Sequence, residues 1–151
     1  MSSLPDLNRL MKLSTGRQQA CDRALANDRR ALLPVGEDIE AINLQLSGLQ
    51  EVLRNTRVEG NVHTQASLMS NLRQQASIRR RLSALVLEKA GVEHKREQLV
   101  QVLAERQQER SVLQRKHQKF ELLQDRLLRD RRRERVRREE LEIEDLLTTR
   151  P

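Results

Sequence analysis

The chain has 151 residues, of which 36% are apolar and 34% charged, and Phe120 is its only aromatic. An ordinary core needs roughly half its residues apolar, and five glycines with three prolines are too few for the turns of a sheet protein of this length. Twenty-nine basic residues against 22 acidic ones leave a net charge of +7, which suits nucleic acid, anionic lipid or an acidic protein surface without choosing among them.

High charge also invites disorder, but leucine recurs too regularly for that. Steps of three and four from Leu4 reach Leu7, Met11, Ser14, Gln18, Cys21, Leu25, Asp28, Leu32, Val35, Ile39, Ile42, Leu46, Leu49, Leu53 and Thr56. Such a stripe predicts a coiled-coil helix over about 5–57, weakened toward its start by Ser14, Gln18 and Asp28. Pro34 interrupts this arm at a cost of about 3 kcal/mol. The phase runs through it unshifted, which favours one kinked helix over a break near 33–36, with Gly36 leaving the break open.

Val58-Glu59-Gly60-Asn61-Val62-His63-Thr64 predicts a turn over about 58–64, since Gly60-Asn61 tolerates positive φ and Thr64 suits an N-cap. A second arm follows over about 65–147. Its expected seam runs Leu68, Leu72, then Leu82, Leu85, Lys89, Val92, Arg96, Leu99, Leu103, Arg106, Arg110, Leu113, His117, Phe120, Gln124, Leu127. A short loop between long helices makes them antiparallel neighbours. The expected fold is therefore all-α: a single long antiparallel two-helix coiled-coil hairpin with unequal arms. Folding at 60–62 sets Leu4 opposite a residue near His117, and everything beyond about Phe120 overhangs.

The overhang is chemically distinct. Eight arginines lie between Arg126 and Arg138, against Asp130 and Glu134, and Glu139, Glu140, Glu142, Glu144 and Asp145 follow. A self-supporting charged helix explains this run as well as a docking surface does. No catalytic constellation is present. His63, His94 and His117 lack neighbours at metal-ligand spacing, Cys21 reads as a packed small hydrophobe, and Gly60 and Gly91 are isolated rather than part of a phosphate loop. The expectation is no enzyme, no cofactor and no metal. Met1-Ser2-Ser3-Leu4-Pro5-Asp6 shows no signal-peptide pattern, so a cytoplasmic protein is expected. A basic coiled-coil nucleic-acid-binding or scaffold protein is the alternative, although no aromatic interleaves the arginines to stack bases.

The segment Leu72-Arg73-Gln74-Gln75-Ala76-Ser77-Ile78-Arg79-Arg80-Arg81-Leu82, with Ser47-Gly48-Leu49, Lys95-Arg96-Glu97 and the acidic close at Glu139–Asp145, resembles the type III secretion central stalk proteins of the YscO/InvI/SpaM group, related to flagellar FliJ. Pro34 and the near absence of aromatics depart from that pattern. The resemblance implies a non-enzymatic stalk of the export apparatus. Its paired terminal ends would enter a hexameric secretion ATPase, its turn end would contact the export gate membrane protein, and secretion chaperones would be further partners. It would work in the cytoplasm at the inner-membrane apparatus. On this chain the implied ATPase contacts are Leu123, Arg126, Leu127, Arg131, Arg135 and Val136, with Leu123 and Leu127 expected to have nothing intramolecular to pack on. The implied gate contacts are Leu68, Leu72, Gln75 and Arg79. Leu68 and Leu72 also read as plain seam residues opposite Leu53 and Leu49.

Overall fold

A computed structural model describes residues 3–56 and 64–149. The expected turn falls on residues outside this set, apart from Thr64. Among the described residues two helices make up the fold, α1 (Leu4–Asn55) and α2 (Gln65–Thr148), and they pack as an antiparallel coiled-coil hairpin.

Each helix starts on a hydroxyl. Ser3 Oγ accepts from the Asp6 amide at 3.3 Å, and Thr64 Oγ1 accepts from the Ser67 amide at 3.3 Å. Both satisfy a first-turn N–H that has no intrahelical acceptor. α1 continues through Pro34 without a break. Pro34 therefore lies inside one helix, and helix–helix packing offsets the lost hydrogen bond and the crowded ring. A Cβ on Gly36 would meet nothing within 4 Å, so that glycine is not required by packing.

The burial pattern of α1 follows its sequence stripe. Every position from Leu4 to Thr56 in the 3–4 series is buried or half-buried, and Ala24 and Gly36 are the other covered positions on the helix. α2 follows its expected seam from Leu82 to Leu127, except at Arg96, which is exposed. A guanidinium there would otherwise lose its water without a counter-charge. N-terminal to Leu82 the seam differs from expectation. It runs back through Ile78, Gln75 and Asn71, while Leu72 is exposed.

The chain divides into two units, residues 1–24 with 106–151 and residues 25–105. In the first, Asn8 meets Gln124, Ser14 meets His117, Gln18 meets the Leu113 carbonyl and Asp22 meets Arg110. Residue n of α1 therefore faces residue 131 − n or 132 − n of α2. In the second, Gln75 donates to the Thr56 carbonyl at 3.0 Å, and Leu85 is 1% exposed. By that contact Leu53 faces Ile78. The expected register is thus wrong by about ten positions: Leu4 faces the neighbourhood of Leu127, and His117 faces Ser14. A loop position does not set the register; the mating of side-chain layers does.

Candidate interaction surfaces

The terminal unit combines a paired section with an unpaired one. In the paired section Leu7 is 0% exposed, and Gln124 donates to Asn8 Oδ1 at 2.9 Å. Leu123 and Leu127 are half-buried. The expectation that these two leucines lack an intramolecular surface is corrected: the ten-position shift in register brings the first turns of α1 over them. The overhang accordingly begins near Leu128, not at Phe120. Every residue from Leu128 to Thr149 is exposed, including Arg131, Arg135 and Val136, and Arg126 is exposed just before it.

This unit also shows what its arginines can do. Arg110 grips Asp22 through two parallel contacts, Nε to Oδ1 at 2.6 Å and Nη2 to Oδ2 at 3.3 Å. The planar guanidinium fork fits a carboxylate in this way, and an ammonium cannot. Along the overhang the same chemistry is unspent. Arg126, Arg129 and Arg133 line a shallow groove with Leu122 and Asp130, and among the described residues no ion pair joins two side chains of 128–149.

In the other unit the first turns of α2 form a second exposed surface. Leu68 is 42% and Leu72 51% exposed, beside an exposed Met69. Arg79 is exposed, and Gln75 is half-buried against Thr56. Steps of four, three and four place Leu68, Leu72, Gln75 and Arg79 along one stripe. The structure makes the stripe a border. Gln75 lies in the seam, while Leu72 and Arg79 lie on its rim. Arg79 and Gln75 line a small groove with Gln50, Leu53 and Arg54. The reading of Leu72 as a seam residue opposite Leu49 fails, since the register gives Leu49 to Leu82.

Sequence reasoning missed Ile78 as the seam residue, although counting back from Leu82 by fours and threes finds it. Cys21 is half-buried, with its Sγ 3.5 Å from the Arg106 carbonyl, as a packed thiol should be. Among the described residues no cluster of three His, Cys, Asp or Glu is placed to hold a metal, and no helix is long and apolar enough to cross a membrane.

The two helices form an antiparallel hairpin with a polar-layered seam and an arginine-rich free end, and comparison with known proteins gives this hairpin a family. The model of the Salmonella surface presentation of antigen gene type M protein, SpaM, matches residues 5–147. The chain belongs to the SpaM family. Among solved structures it is similar to the type III secretion protein YscO from Vibrio parahaemolyticus, at 20% identity and a TM-score of 0.75, over 94% of this chain and 93% of that one. At that identity the likeness speaks for the fold. No curated protein matches the sequence. Membership in the SpaM family makes the chain a helical coiled-coil component of a type III secretion apparatus, concerned with protein transport.

Proposed function

We propose that this SpaM-family chain is a non-enzymatic stalk that couples a hexameric secretion ATPase to the export gate. The observation that carries the reading is the unpaired end of α2. Residues 128–148 remain helical with every side chain exposed, in a segment whose arginines suit the carboxylates of an acidic pore. Arg126, Arg131, Arg135 and Val136 supply contacts to the ring. Leu123 and Leu127 hold the base of that segment against α1. At the other end Leu68, Leu72, Gln75 and Arg79 meet the cytoplasmic part of the gate protein, with Gln75 setting the start of the stripe against Thr56. Secretion chaperones are further partners of the exposed helix faces. The chain works in the cytoplasm, against the inner-membrane apparatus.

The corrected register decides the test. Truncation at Gln118 would strip the α2 side from Leu7 and Asn8, so the informative stop follows Leu128. That variant keeps its melting temperature and gate binding but loses stimulation of ATP hydrolysis by the secretion ATPase. Full stimulation by the truncated chain rejects the assignment of the terminal end. Recovery of nuclease-sensitive nucleic acid in place of the ATPase from a lysate supports the nucleic-acid alternative.

A further inference from the structure

The unpaired end of α2 carries a charge pattern that is its own complement. From Arg129 to Arg138 there are seven arginines against Asp130 and Glu134, a net charge of +5. From Glu139 to Asp145 there are five acids and no base, a net charge of −5. The boundary falls between Arg138 and Glu139. A second copy of the segment, laid antiparallel about that boundary, puts each basic half on an acidic one.

The helix geometry supports the same pairing. Arg129, Arg132, Val136, Glu140, Ile143 and Leu147 recur at steps of three and four, so they share one face. In the antiparallel arrangement Arg129 and Arg132 lie over Leu147 and Ile143 of the second copy. Their aliphatic stems cover those side chains while the guanidinium heads reach water or Glu140. On the two flanks of that face Arg133 meets Glu144 of the second copy and Arg135 meets its Glu142. The two-fold axis repeats each pair. Parallel pairing instead sets arginine over arginine and Glu140 over Glu140, so flank and face charges choose the antiparallel orientation.

Two observations show that the segment wants such a cover. All of its residues are exposed, and Ile143, Leu146 and Leu147 are among its bare apolar side chains. The acids sit at the C-terminal end of α2, whose last turn holds no basic residue. There they oppose the helix macrodipole. A lone helical stretch of this length is marginal in water, and arginines from a second copy neutralise the unfavourable end.

We propose that the free chain forms an antiparallel homodimer through residues 129–147 of α2, with Arg133–Glu144 and Arg135–Glu142 as its reciprocal pairs. The segment is the one assigned above to the ATPase ring, with Arg135 and Val136 common to both assignments, so the dimer is the state of the chain before that partner is met. The two proposals fail separately, because this one is read on the chain alone.

The test is sedimentation of the full chain across a range of concentrations and ionic strengths. The wild-type chain shows a concentration-dependent dimer that salt weakens. Arg133→Glu with Arg135→Glu takes segment 129–147 from a net charge of 0 to −4, and Glu142→Arg with Glu144→Arg takes it to +4. Each double variant alone is a monomer of unchanged hairpin melting temperature. Mixed in equal amounts they restore all four opposite-charge pairs and sediment as a heterodimer. A wild-type chain that stays monomeric at every concentration, a dimer that both variants retain, or a mixture that fails to pair overturns the proposal.

Discussion

Replacing Ile78 and, separately, Leu72 by alanine separates packing from surface recognition at the start of α2. Ile78 is 9% exposed and faces Leu53 by the Gln75–Thr56 contact. Truncation there removes buried methylenes and leaves a cavity, which costs about 2–5 kcal/mol. Leu72 is already half in water, so its truncation forfeits at most about 1 kcal/mol of burial, and alanine is an equally good helix former. For a chain of this size 1 kcal/mol moves the melting temperature by about 2–4 °C. Thermal melts followed by far-UV circular dichroism should thus show a fall of about 4–20 °C for Ile78→Ala and less than about 4 °C for Leu72→Ala. Binding to the gate protein should show the reverse order, with Leu72→Ala weakening it at unchanged stability. Equal falls in melting temperature for the two variants refute the seam placed through Ile78. Gate affinity that tracks melting temperature in both refutes the recognition role of Leu72.

Three further outcomes follow from the same geometry. With Cys21→Ser, the pair Asn8→Cys and Gln124→Cys closes an intramolecular disulfide on oxidation, whereas Asn8→Cys with Leu113→Cys, the pair demanded by a fold at 60–62, does not; gel mobility under non-reducing conditions reads both. Gly36→Ala and Gly91→Ala each stabilise by about 0.5–1 kcal/mol, because the added methyl meets nothing within 4 Å and helix entropy favours alanine, and Pro34→Ala adds up to about 3 kcal/mol, all read from chemical denaturation. Arg110→Ala costs about 1 kcal/mol, the upper end for a part-exposed ion pair, and Asp22→Ala adds little on top of it, because the two groups form one bidentate contact.

The fold class was legible because α1 writes its seam almost without error. The 3–4 series from Leu4 to Thr56 keeps its phase across Pro34, and apolar residues hold most of it. α2 was harder to read at its start. Asn71 and Gln75 hold seam positions with polar side chains, while Leu68 and Leu72 offer apolar ones just beyond or beside it. Hydrophobicity alone pointed to the wrong pair, and only strict counting back from Leu82 recovers Ile78. The candidate surfaces were half legible. The arginine block is plain in the sequence, but where it becomes free depends on register, and register is a property of two helices rather than one.

The polar layers of the terminal unit supply that missing information. A seam of uniform leucine would accept a slip of one heptad with little loss. Here such a slip is costly in either direction. Sliding α2 so that residue n faces about 124 − n sets His117 on Leu7, which is fully buried, and Arg110 on Ser14. Sliding it the other way sets His117 on Cys21 and Arg131 on Leu7. Each misplacement leaves buried polar groups without partners, at about 1–3 kcal/mol apiece and more for a charge. In the observed register Ser14 Oγ lies 3.1 Å from His117 Nδ1, Asp22 holds Arg110 by two contacts, and Gln18 donates to the Leu113 carbonyl. These layers contribute less stability than leucines would, and they fix one alignment. That alignment decides how much of α2 is left bare. A slip one way frees Leu123 and Leu127, and a slip the other way covers Arg129 to Arg133. The polar seam is what ends the paired section beside Leu127 and leaves the charged segment from Leu128 onward open to a partner.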